Sequence, residues 1–236
     1  MLTFGIVTPT INRETLLRRH LRRVGRQTYK LWRLFVVHDG PDPAIRSMVE
    51  GFGESDARIK YFETQYSARD WGVTPRLEGV RRFIASCKVP DYLVFWDDDN
   101  LYRTDALERG ALALESAGCP DLLLAAVKYR SQTIPPAGAI KSLDVGQVDT
   151  ASMIFRPELA FDAYASVKFH TDLASKGVLN DFLVFEYARN HLPPQRIVLD
   201  RRVLICQHDC LRAGPFIRSA LRIPPLGLAR LLHLGR

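Results

Sequence analysis

Residues 92–100 read Tyr92-Leu93-Val94-Phe95-Trp96-Asp97-Asp98-Asp99-Asn100. Five apolar or aromatic residues in a row suit a strand buried on both faces. Three adjacent carboxylates then close it. Side chains that repel one another are tolerated beside a core only where a cation or several donors offset them. In open α/β sheets, ligands gather at the carboxyl ends of the strands. Hard divalent ions such as Mg²⁺ and Mn²⁺ take carboxylate oxygens together with substrate phosphates. The stretch therefore predicts a buried strand ending in a metal–diphosphate site. The competing reading of Asp97, Asp98 and Asp99 is a polar loop or helix cap.

Upstream, Thr3–Thr8 reads as a short buried strand that stops at Pro9. Leu17, His20, Leu21 and Val24 follow at the spacing of one helical face, opposite Arg18, Arg19, Arg22, Arg23 and Arg26, with Asn12 placed to cap the helix. His20 on that apolar face reads as a core histidine. Leu34–Val37 is a second strand, ended by His38-Asp39-Gly40-Pro41. Ile45–Phe52 reads as a helix, Arg58–Phe62 as a strand, and Pro75–Cys87 as a helix with proline in its first turn. Thr104–Ala117, opened by a threonine, is a further helix. Strands alternating with helices predict an α/β protein with a mainly parallel central sheet flanked by helices. Past Leu122–Val127 the pattern loosens. Residues 131–150 contain Pro135, Pro136, Gly138 and Gly146 and read as a long functional loop. A strand at Ser152–Phe155, a helix near Asn180–Asn190 and a strand near Arg196–Cys206 complete the reading.

The 236 residues are 47% apolar and 25% charged, a globular composition. No apolar run approaches the ~20 residues of a membrane span, and no basic segment precedes an apolar stretch at the start. Four cysteines in a chain this long do not make a disulfide scaffold. These features predict a cytoplasmic protein. Its net charge of +7 is uneven: residues 1–40 carry +6, residues 211–236 carry +5, and the middle is acidic. Basic ends suit an anionic surface or substrate, or are simply a solvated face. They lack the aromatic interleaving of single-strand binders, so no nucleic acid is expected. In the tail, Leu228, Leu231 and Leu232 are helix-spaced beside Arg230, which suits docking on the body, a dimer contact or a peripheral place on the inner face of a membrane.

Two smaller signals remain. Asp39 at a strand end suits a base N–H or a ribose hydroxyl, with an ordinary Asp-Gly turn as the alternative. Cys206-Gln207-His208-Asp209-Cys210 has no second pair of ligands nearby and does not make a structural zinc site.

Taken in order, these segments resemble family-2 glycosyltransferases, which have the GT-A fold. Val7-Thr8-Pro9-Thr10-Ile11-Asn12-Arg13 resembles that family's opening V-x-T-Y-N-R, and Gln27-Thr28 its S-x-x-Q-T. Val36-Val37-His38-Asp39-Gly40 is similar to V-V-D-D-G-S, with His38 and Pro41 as departures. Arg69-Asp70-Trp71-Gly72 with Arg76 stands in the G-x-x-x-A-R-N region, and Asp97-Asp98-Asp99 looks like the DXD motif. The resemblance implies a single catalytic domain over 1–210, with a nucleotide-sugar half at 1–105, an acceptor half at 106–210 and a basic tail at 211–236. It implies that Thr8, Pro9 and Asp39 hold the nucleotide, usually uracil, and that Arg76 (or Arg69) lies near base or diphosphate. Asp97 and Asp98 would contact the donor. Asp99 would ligate Mn²⁺ or Mg²⁺, with His208 completing the shell. The family's late E-D maps to Asn180-Asp181, so Asp181 is the implied catalytic base, with Asp172 and Glu186 as fallbacks.

Elementary chemistry agrees. A leaving diphosphate needs charge stabilisation and an attacking hydroxyl needs a base. At a helix N-terminus Asp181 is expected to keep a low pKa unless the site is dry, and an ordinary N-cap is its competing reading. The expectation is an inverting, metal-dependent enzyme that moves a sugar from a UDP-linked donor to a saccharide or lipid-linked hydroxyl. The rival readings are a nucleotidyltransferase, with Arg13 as its phosphate clamp, and a non-catalytic GT-A-like binding subunit.

Overall fold

The structure, a computed structural model, describes residues 1–129, 132–169 and 177–208; the side chains of residues 177, 178 and 208 lie outside that description, as do Asp172, Cys210 and the basic tail. The first half alternates as its sequence predicts. Strand β1 (Phe4–Thr10) leads to helix α1 (Glu14–Val24), β2 (Trp32–His38), α2 (Pro43–Ser55), β3 (Ile59–Glu63), α3 (Val73–Ile84) and β4 (Tyr92–Phe95). These four strands pair parallel in the order β3-β2-β1-β4. Their carboxyl ends therefore fall on one edge. In the β1–β2 register Thr10 lies opposite His38, and in the β1–β4 register Val7 lies opposite Phe95.

The second half is mixed. After a three-residue strand β5 (Asn100–Tyr102) and helix α4 (Ala106–Ser116), the chain forms β6 (Leu122–Tyr129), β7 (Gln132–Ile134), β8 (Met153–Phe155), α5 (Pro157–Phe169), α6 (Gly177–His191) and β9 (Ile197–His208). Strand β8 is antiparallel to both β4 and β6, β9 is parallel to β6, and β5 closes the far edge antiparallel to β9. The sheet runs β3-β2-β1-β4-β8-β6-β9-β5, with β7 hung on β6. Trp96 and Tyr102 stack at 4.3 Å across the acid segment that joins β4 to β5.

Alternate residues of each strand feed two cores. Phe4, Ile6, Leu34, Val36 and Val94 pack under α1, α2 and α4, while Val7, Phe35, Val37, Leu93 and Phe95 pack under α3, α5 and α6. Leu17, His20, Leu21 and Val24 are the buried face of α1, as their spacing predicts. Helix α3 sits very close to the sheet: a Cβ at Gly79 would meet Val7 Cγ1 at 2.5 Å.

Several boundaries differ from the sequence reading. Asn12 is not the cap of α1. The N-cap position is Arg13, without a side-chain cap bond, and Asn12 is left-handed at φ 49°, donating its N–H to His38 Nε2 at 3.2 Å. Thr104 does not cap α4, whose N-cap is Asp105. The 131–150 stretch is not one loop, since β7 and a 3-10 turn at Thr150–Ser152 are built from it. Helix α5 was not read at all, although Ala160, Ala163, Tyr164 and Val167 are its buried face at helical spacing. Among the described residues no helix is long and apolar enough to cross a membrane.

Candidate active site

The parallel edge opens into a cleft of about 450 Å³. Its floor is the end of β1, with Pro9, Thr10 and Ile11. One wall is the acid segment Asp97-Asp98-Asp99, and the other is the segment Arg69–Gly72 with Asp39 and Arg76. Position along β1 decides which of its residues reach this space, the strand end opening into it. Thr8 does not. It is fully buried and its hydroxyl bonds His20 Nε2 at 2.9 Å, on the α1 side of the sheet. Thr8, expected at the donor, thus does not line the cleft, whereas Thr10, at the strand end, does. Burial holds the pKa of His20 down at about 3, as for a core histidine.

Arginines compensate the three carboxylates. Arg76, on α3 and only 6% exposed, ion-pairs with Asp97 and donates through Nη1 to the Trp71 carbonyl at 2.9 Å. Arg13 spans Asp98 (3.2 Å) and Asp99 (2.9 Å), and Thr10 donates to Asp98 at 2.7 Å. Burial pushes Asp98 up to about pKa 6, opposed by Thr10 and Arg13 and reinforced by Asp99 and Asp97. Asp97 is also raised by burial, against the pull of Arg76. Asp99 is the more open of the cluster, its side chain 41% exposed. Among the described residues no three His, Cys, Asp or Glu side chains form a group able to hold a metal ion. Asp97, Asp98 and Asp99 all line the cleft, and carboxylate oxygens are the donor type that a hard cation takes.

Asp39 anchors the opposite wall. Its carboxylate accepts from the Ala68 N–H (2.7 Å), the Arg69 N–H (2.8 Å) and the Ser67 hydroxyl (3.3 Å). These bonds tie Asp39 to a segment distant along the chain rather than into a local Asp-Gly turn, and the residue lines the cleft. The segment it holds is strained: Arg69 and Trp71 are left-handed at φ 51° and 58°. Gly72, at φ 84°, is glycine for two reasons, since a Cβ there would also meet Arg76 Nη1 at 2.7 Å. Trp71 projects at the rim, 51% exposed.

Asp181 is not an N-cap and its pKa is not low. It is the fifth residue of α6, and burial, with Asp149 as a like charge, pushes it up to about 7 against Arg76 and the Thr150 hydroxyl. Thr150 donates to Asp181 Oδ1. Asp181 does not line the cleft but is within electrostatic reach of Arg76 and Asp97, which do. Of the fallbacks, Glu186 is paired with Arg189 on its own helix at 3.0 Å, and Asp172 lies outside the described residues. The backbone of His208 pairs with Asn100, one residue from Asp99, and its side chain is outside the description.

The sequence reading missed Asp149. It is 6% exposed, caps the Thr150–Ser152 turn through the Ala151 N–H (2.7 Å), and accepts from the Tyr129 hydroxyl. A signal existed: the polar pair Asp149-Thr150 stands two residues ahead of the buried strand β8, an acid beside a core strand as Asp97–Asp99 are beside β4.

The sequence model described as Glycosyl transferase family 2 matches residues 5–136, more than half of the chain. No curated protein matches. Among solved structures, S. aureus TarS 1-349 in complex with UDP is similar at 16% identity and TM-score 0.68, over 97% of this chain and 68% of that one. A second TarS 1-349 structure matches at 16% identity and TM-score 0.64, over 94% of this chain and 64% of that one. The mannosyltransferase PcManGT from Pyrobaculum calidifontis, in complex with GDP-Man and Mn²⁺, matches at 14% identity and TM-score 0.57, over 94% of this chain and 65% of that one. This chain thus spans slightly less than two thirds of the latter two, and the likeness is one of fold, the GT-A fold.

Proposed function

The chain belongs to glycosyl transferase family 2, and from that premise we propose that it transfers a sugar from a UDP-linked donor to an acceptor hydroxyl, with inversion and with a divalent ion. The observation that supports this most is one arrangement. A cleft at the carboxyl ends of β1, β2 and β4 holds four carboxylates and three arginines, and a further carboxylate titrating near neutrality stands behind Arg76. The neighbours solved with UDP and with GDP-Man support the donor class.

In this reading Asp39 and the segment it anchors receive the nucleoside, while Arg13, Arg69 and Arg76 face the diphosphate. Asp181 takes the proton of the acceptor hydroxyl as that oxygen forms its bond to the anomeric carbon. The bond from that carbon to the diphosphate oxygen breaks in the same displacement, and the arginines stabilise the charge that leaves. A group titrating near 7 suits the role, since it is partly ionised at neutral pH and still basic enough to hold the proton. Asp99 would hold Mn²⁺ or Mg²⁺, whose chemistry when bound is to neutralise charge on the leaving diphosphate. The donor side falls to residues 1–105. Residues 106–210, which supply Asp149 and Asp181, form the acceptor side.

The test is hydrolysis or transfer from a panel of nucleotide sugars with and without Mn²⁺. Asp181→Asn should lose turnover by about 10²-fold or more and keep UDP binding by calorimetry. Asp99→Ala should lose the Mn²⁺ dependence. Full activity in both variants would end the proposal.

A further inference from the structure

Behind Arg76 lies a buried polar unit that the reaction as described leaves unused. It begins at Tyr129, near the end of β6, whose hydroxyl donates to Asp149 Oδ2. The other oxygen, Asp149 Oδ1, accepts the Ala151 N–H at 2.7 Å, and the Ser152 hydroxyl donates to the Asp149 carbonyl at 2.6 Å. Asp149 is therefore fixed from two sides, by the sheet and by its own turn. The next residue, Thr150, gives its hydroxyl to Asp181 on α6. Thr150 and Ser152 are 2% and 0% exposed, so this is packed interior rather than surface loop.

We propose that Asp149 and Thr150 are positioning residues for Asp181, Thr150 orienting one oxygen of the base through its hydroxyl and Asp149, fixed by Tyr129 and by its own turn, facing the base as a second carboxylate. The inference rests on reading Asp181 as the base. Two acids in a shared low-dielectric site resist double ionisation, so one of them keeps its proton to higher pH. A hydroxyl donating to the ionised form acts in the opposite direction. The turn thus carries two opposed influences on one carboxylate in consecutive residues. The other groups facing Asp181 are Arg76 from α3, Asp97 from the end of β4, Tyr164 from α5 and Tyr129 from β6. Cys206 on β9 adds a neutral thiol that burial, reinforced by Asp149, keeps protonated. Of these, Arg76 favours the ionised base and Asp97 the protonated one.

Opposite signs make the test specific. Aspartate labelled with ¹³C at Cγ is titrated in the full-length protein, and the Asp181 signal is assigned by its loss in Asp181→Asn. Asp149→Asn keeps one acceptor oxygen, for the Ala151 N–H, and turns its amide to the Tyr129 hydroxyl, which can accept from it; the charge is removed, and the Asp181 midpoint should fall by about one pH unit. Thr150→Val removes the hydroxyl and should raise it, and Thr150→Ser should return it to the wild-type value. In turnover of whichever nucleotide sugar is hydrolysed, the acid limb of kcat/KM should move with the midpoint in each variant. Midpoints that stay in place, or that move the same way in Asp149→Asn and Thr150→Val, would overturn the inference. The two variants are independent, so misfolding of one leaves the other to decide. Full turnover in Asp181→Asn would instead remove the base assignment, whatever the titration shows.

Discussion

Asp181 keeps its proton to about pH 7 in the fold, against an ordinary value of 3.8. A carboxyl raised in this way stabilises the native state fully below its unfolded value, and that contribution is lost as pH rises through the folded one. Urea unfolding at pH 5 and pH 8 should therefore show a decline in stability with pH. Asp181→Asn should flatten the decline, by on the order of 2 kcal/mol. A difference between the two pH values unchanged in the variant would mean that Asp181 titrates normally. At this scale the sequence showed types better than partners. Asp97–Asp99 announce themselves because a buried strand cannot end in three carboxylates without company. Which arginine answers each one depends on α1 and α3 arriving from elsewhere, and no spacing reveals that. Thr8 was misplaced for a related reason. The period of two puts it on the α1 face of β1, and only at the strand end does Thr10 escape that face and reach the cleft.

Among elements, α3 matters most to the site, because it carries Arg76 and is pressed onto β1 at Gly79. Gly79→Ala would drive a methyl into Val7, and Val37 lies at 3.3 Å on the same side. We expect about 1–3 kcal/mol of destabilisation by urea unfolding. Weaker UDP binding should accompany it as the helix lifts and Arg76 turns away from Asp97. Retention of both stability and binding would show that the contact relaxes freely. The helices with leucine or valine stripes, α1 and α4 among them, were legible to within a few residues. Helix α5 was not, because Ala160 and Ala163 thin the buried face that Tyr164 and Val167 complete, which reads as weak periodicity. Strand β5, three residues long and attached to the acid cluster, carries too little pattern to be seen at all.

For the whole molecule, the prediction concerns linkage between ligand and fold. A ligand that binds only the native state raises the melting temperature with its concentration. UDP with Mn²⁺ should raise Tm by several degrees, more than UDP with a chelator or Mn²⁺ alone. Asp99→Ala should reduce the pair to the effect of UDP by itself. Equal shifts with and without the ion would count against the cation site. The parallel half was legible because each strand there is a dense apolar run between helices. In the second half the strands at 152–155 and 196–206 and the helix near 180–190 were legible, but their order in the sheet was not, since β8 enters it antiparallel between β4 and β6, a placement decided by long-range pairing.

The acid segment Asp97–Asp99 also spans the sheet, from β4 near its middle to β5 at its far edge. Among the described residues β5 pairs only with β9, through Asn100, Leu101 and Tyr102 opposite His208, Gln207 and Cys206. Cutting the chain ahead of Cys206 would strip β5 of its neighbour and leave Asp99 hanging from one side only. A cut or a label at Gln207, opposite Leu101, works at the doorstep of the acidic cluster, with no relay needed between them.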